Sequence, residues 1–130
     1  MILWWVLVAC GGLDPGPEPE PGLEARSEGG AVTCAFSLDP EPPALGELFA
    51  TEVTLTAGGE PVTEAAVQID ATMPAHDHGM LTAPRHGELG AGRYRTEGMK
   101  LHMAGRWEIA AAWEEDTCRV VWDQPVQASP

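Results

Sequence analysis

A chain of 130 residues with 44% hydrophobic content holds one domain of ordinary size and excludes two independent cores. Asp and Glu outnumber Lys and Arg by 20 to 7, and the resulting net charge of −13 repels a phosphate backbone, which argues against nucleic acid as a partner. Twelve prolines and fifteen glycines point to strands and turns rather than to helices.

Residues 1–9 form an unbroken apolar run that stops at Cys10-Gly11-Gly12. Such a run is too short for a bilayer core, which takes about 20 helical residues, but an apolar stretch ending in small residues has the form of an export signal. Leu7-Val8-Ala9-Cys10 resembles the bacterial lipobox, in which the cysteine becomes the lipid-carrying first residue of the mature chain. The resemblance implies a signal peptide over residues 1–9, lipidation at Cys10, and extracytoplasmic attachment to a bacterial membrane; one acyl chain anchors only marginally, so several are implied. Residues 10–30 are mostly Pro, Glu and Gly. They cannot bury enough surface to offset their ordering entropy and read as a tether, about 60 Å long for twenty extended residues.

The globular part spans residues 31–127. Residues 31–38 alternate with period two and place Val32, Cys34, Phe36 and Leu38 on one face of a strand. The prolines of Asp39-Pro40-Glu41-Pro42-Pro43 end it. Residues 48–56 form the next strand, with Phe49, Thr51, Val53 and Leu55 opposite Glu52, and residues 57–61 a turn. A third strand over residues 65–72 sets Val67, Ile69 and Ala71 against Gln68 and Asp70. After a long loop come a short strand at 92–96 and a longer one at 105–113 that aligns Trp107, Ile109, Ala111 and Trp113. Glu114-Glu115-Asp116 is a hairpin tip, and residues 117–123 return with Cys118, Val120 and Trp122 together. The alanines and glutamates of residues 109–115 would also suit a helix. The period-two spacing of the large apolar residues favours a strand. About seven short strands separated by turns predict an all-β, immunoglobulin-like antiparallel β-sandwich.

With Cys10 lipidated, Cys34 and Cys118 remain as an even pair on core-facing strand positions in an oxidising compartment, and they are expected to form a disulfide. The same apolar setting disfavours a reactive thiolate. Three serines, Ser27, Ser37 and Ser129, offer no plausible serine-histidine arrangement, so no catalytic residue is assigned and the chain reads as a binding module rather than an enzyme.

Chemistry concentrates between Met73 and Met103. This stretch holds all four histidines (His76, His78, His86 and His102) and every methionine except the initiator (Met73, Met80, Met99 and Met103). Imidazole and thioether bind late first-row metals, and thioether selects Cu(I). In an extended segment His76, His78 and Met80 fall at i, i+2 and i+4 and point one way, so they can share an ion. On a regular strand His102 and Met103 face opposite ways, and one of the two would complete the site. Met73 is a further candidate ligand and His86 the weakest. Asp77 is the only carboxylate inside the motif, which disfavours zinc. The same residues also allow a structural reading, in which methionines pack the end of the core and histidines fix a loop through backbone carbonyls.

Met73-Pro74-Ala75-His76-Asp77-His78-Gly79-Met80, then Pro84, Gly92-Arg93-Tyr94, and finally Met99-Lys100-Leu101-His102-Met103-Ala104-Gly105-Arg106-Trp107-Glu108-Ile109 occur in that order. Together they resemble the YtkA-like family, related to FixH, of exported or membrane-anchored bacterial domains, over about residues 31–126. The resemblance implies an immunoglobulin-like sandwich outside the cytoplasm. FixH relatives are linked to assembly of copper-containing respiratory oxidases, so it also implies copper handling, with another envelope or respiratory-assembly protein as partner. The alternative is a structural or protein-interaction module of the cell envelope.

Overall fold

The computed structural model describes residues 23–126, so the apolar run, Cys10 and the tether up to residue 22 lie outside the described residues. In chain order the strands are β1 (Glu24–Arg26), β2 (Thr33–Asp39), β3 (Phe49–Ala57), β4 (Glu60–Pro61), β5 (Gln68–Met73), β6 (His78–Gly79), β7 (Arg85–Gly90), β8 (Arg93–Met99), β9 (Gly105–Ala112) and β10 (Thr117–Gln124). All pairings are antiparallel. One sheet has the order β1-β2-β3-β8-β7, with β4 beside β3, and the other the order β10-β9-β5-β6.

Period-two alternation builds the core between these sheets. Cys34, Phe36 and Leu38 of β2, Val53 and Leu55 of β3 and Tyr94 of β8 face Ile69, Ala71 and Met73 of β5, Trp107, Ile109 and Ala111 of β9, and Cys118 and Val120 of β10; all are buried. Full burial of a side chain such as Leu55 or Ile69 is worth about 1.5–3 kcal/mol, which is why the alternation holds its register. The expected disulfide is present: Cys34 and Cys118 join β2 to β10 across the core, with Cα atoms 6.5 Å apart and a sequence separation of 84.

The outer face of the larger sheet is polar and organised by Arg95, whose guanidinium reaches Glu52 at 2.8 Å, Glu97 at 3.0 Å and Asp39 at 3.1 Å. Arg93 adds a second contact to Glu52 at 3.0 Å. Hydrogen bonds from Arg95 and then Arg93 hold the Glu52 carboxyl below the usual carboxylate range.

Two expectations need correction. Among the described residues ten strands are present rather than about seven, because β4, β6 and β7 carry little apolar alternation and exist by pairing. The ordered domain also begins well before residue 31: Leu23 is buried and β1 pairs with β2, so the tether as drawn over residues 10–30 is too long by at least eight residues. Residues 109–112 are strand, as their period-two spacing favours, in register with both β10 and β5.

Candidate metal centre at the histidine pole

β5 and β6 form a tight hairpin, with Thr72 opposite Gly79 and Met73 opposite His78. Pro74–His76 make a single 3₁₀ turn between them, closed by Asp77 in the left-handed region at φ 58° and ψ 42° with its amide bonded to the Pro74 carbonyl. Proline supplies a fixed φ at the start of the turn, and aspartate tolerates the left-handed conformation better than most residues. Asp77 is therefore a turn residue, exposed to solvent. The His78 that follows is carried back over the start of β9.

The second half of the site depends on a bulge. Ala50 pairs with Glu97 but Phe49 with Met99, so Gly98 is an extra residue in β8, at φ 87°. Glycine adopts that conformation without steric cost. The bulge shifts the alternation by one residue and turns Met99 into the core. Beyond it residues 100–104 are not strand. Leu101 is buried, while His102 and Met103 are both half-buried, so the regular-strand rule that admitted only one of these two does not apply here.

His78 and His102 meet at this pole with ring centroids 5.2 Å apart. Trp107 lies edge-on to both, at 5.9 Å and 5.7 Å. His76, on the exposed turn, stacks on the other side of His78 at 5.8 Å. Trp107 is fully buried and its indole N–H donates to the Met103 carbonyl at 2.9 Å, which fixes the backbone of the 100–104 segment against the rings.

The hydrogen bonds define the chemical state of His78. Its Nδ1 lies 3.2 Å from the Gly79 carbonyl, an acceptor, so Nδ1 carries the proton and Nε2 the lone pair. That Nε2 is buried with no hydrogen-bond partner, and so is Nδ1 of His102. Buried polar atoms are seldom left unpaired. Two such nitrogens on neighbouring rings, with the half-buried thioethers Met80 and Met103 on the same segments, form a donor set suited to a soft ion.

Other candidate ligands lie elsewhere. Met73 is a core side chain, 1% exposed, and its methyl lies so close to Gly105 that a Cβ there would come within 2.9 Å of it. His86 belongs to β7 in the other sheet. Its Nδ1 accepts the Ile69 amide at 3.3 Å and lies 2.8 Å from the Thr96 hydroxyl. Among the described residues no group of three or more His, Cys, Asp or Glu side chains is placed to hold a metal ion. Sequence reasoning placed Trp107 in the core but missed its position between two imidazoles; the spacing His102-Met103-Ala104-Gly105-Arg106-Trp107 was the available signal.

The family model described as YtkA-like matches residues 28–112. The chain belongs to the YtkA-like family. The span that carries the YtkA-like match includes the whole histidine pole and stops short of β10, so Cys118 lies beyond it while its disulfide partner Cys34 lies within. No curated protein and no solved structure matches the chain.

Proposed function

We propose that this YtkA-like domain is a non-catalytic binding module that takes up Cu(I) at the histidine pole, displayed outside the cytoplasm on a lipid anchor at Cys10. The observation that carries the reading is the pair of buried, unpartnered ring nitrogens, His78 Nε2 and His102 Nδ1. A soft, low-coordinate ion needs two such lone pairs and gains from a neighbouring thioether, which Met80 or Met103 would supply. His76, on the exposed turn, would be the point of entry rather than a ligand of the formed site. Copper delivery to, or sequestration from, another envelope or respiratory-assembly protein is the role that fits a tethered module of this kind.

A second reading is a structural or protein-interaction module in which the histidines only organise the pole. It is favoured by the lack, among the described residues, of any group of three His, Cys, Asp or Glu side chains placed to hold a metal ion. One experiment separates the two. Competition of the full chain with a chromophoric Cu(I) chelator should show binding that falls by at least a hundredfold, about 2.7 kcal/mol, in H78A/H102A, and that weakens on acidification because imidazole takes up a proton and thioether does not. Equal binding by wild type and double variant would establish the structural reading.

A further inference from the structure

We infer that β10 is a docking strand for a second copy of this chain. Among the described residues β10 is the outer strand of the smaller sheet and pairs on one side only, with β9. The turn joining them is closed by Trp113 and Asp116, each amide donating to the other's carbonyl at 3.0 and 3.3 Å. Antiparallel pairing alternates from that pair onward. Hence the backbone groups of Cys118, Val120, Trp122 and Gln124 are spent on β9, whereas those of Arg119, Val121 and Asp123 point to the open edge. The phase has an independent check: Thr117, on the outward series, gives its carbonyl to the Glu28 amide at 2.9 Å.

Around Val121 the edge is self-complementary. If two copies align antiparallel with Val121 opposite Val121, then Arg119 of each faces Asp123 of the other, and three matched pairs exchange both backbone hydrogen bonds. On the inner side Trp122, half-buried at the edge, meets Val120 of the second copy. A shift that centres the pairing on Val120 sets Arg119 against Val121 and Asp123 against Thr117. A shift the other way sets Arg119 against Pro125, which has no amide to give. Only the register centred on Val121 pairs every charge with its opposite. The ladder also ends naturally there, because the next pair would join Pro125 to Thr117, whose carbonyl is already taken. Arg119 and Asp123 now hold only exposed partners, Glu28 at 3.4 Å and Arg106 at 3.6 Å, which are weak contacts easily exchanged.

Exposed charges on an edge strand commonly guard against association. Here their order along the strand makes them selective for a like copy instead. The surface is a single strand edge, smaller than the 1,200–2,000 Å² or so of a stable interface, and a net charge of −13 on each copy opposes contact. The dimer is therefore weak and forms at high local concentration, as one continuous sheet running through both copies.

Cysteine cross-linking of the full chain tests it. In a C10S background, so that no other free thiol remains, Val121→Cys places thiols on residues whose Cα atoms would be about 5.5 Å apart across the dyad, within disulfide reach. Mild oxidation with diamide should give a covalent dimer, with Leu81→Cys, at a 77% exposed position in a loop, as the control. Adding R119D or D123R should each lower the V121C dimer by about tenfold, and R119D with D123R together should restore it. Dimer formation by L81C equal to that of V121C would overturn the proposal. Failure of the double swap to restore cross-linking would overturn it as well.

Discussion

The two ends of the sandwich treat polar groups in opposite ways. At one end Cys34 and Cys118 are joined, and the hairpin tip beside them is saturated: Asp116 accepts from the Gly29 amide at 2.9 and 3.1 Å and from the Thr117 amide at 2.8 Å. The Ser27 hydroxyl, followed by those two amides, holds the Asp116 carboxyl below its usual range. At the other end two imidazole nitrogens are buried with nothing to bind. A fold that can satisfy its polar atoms so fully at the first pole leaves them open at the second, and departures of this kind concentrate where a protein does something other than hold itself together. The disulfide pole carries stability. The histidine pole keeps two buried ring nitrogens unpaired.

The largest break in this contrast comes from the covalent bond. C34S/C118S should lose about 4–5 kcal/mol at most, by the chain-entropy estimate for a long loop, read as a lower urea midpoint. The ring geometry at the far pole should persist in whatever fraction stays folded. Gly105 is next, because φ 128° and a 2.9 Å approach to Met73 combine backbone strain with a clash inside the core. G105A should cost about 2–3 kcal/mol in the same assay. A smaller effect of opposite sign is expected from His102→Phe. It removes an unpaired nitrogen while keeping a flat ring against Trp107, so the copper-free domain should be unchanged or more stable by up to about 1 kcal/mol. A clear loss of stability in H102F would show that the poles do not differ in the way described.

The smallest effect is a pH dependence carried by Glu52 and Asp116. Glu52 and Asp116 both titrate below their ordinary values in the folded chain. The unfolded chain then binds protons first, so their stabilisation is present in full above the ordinary carboxylate pKa of about 4 and is lost as pH falls through the depressed folded values. Denaturation midpoints should therefore decline on acidification below about pH 4. D116N should flatten the part of that decline due to the hairpin tip, and E52Q the part due to the Arg95 cluster. A decline equally steep in E52Q/D116N would assign it to other groups.

Much of this was legible in the sequence wherever burial imposed alternation. Val53 and Leu55, Ile69 and Ala71, and Trp107 to Ala111 announced their strands because one face of each is sealed in the core. β1 was hidden by its company: Glu24 and Arg26 flank a single alanine after a run of proline and glycine, and only the pairing with β2 makes it a strand. β7 gave no signal, since almost every side chain in it is exposed. At the site, residue type singled out the histidines, and the rings of His76, His78 and His102 do stand in sequence at one pole. Residue type could not tell that Met73 is consumed by packing. Nor could it supply the bulge at Gly98 that releases His102 and Met103 from strand alternation, or the Gly79 carbonyl that selects the tautomer of His78.

His86 was the least promising of the histidines as a ligand, yet it spans a gap that no backbone fills. β6 covers only the last two residues of β5, so the Ile69 amide faces outward at an unprotected margin and finds an imidazole from the opposite sheet. That one ring acts as a surrogate neighbouring strand. Hydrogen exchange at Ile69 should accordingly be governed by the seating of β7 rather than by the melting of β5. An amide in one sheet would then serve as a clock for motions of the other.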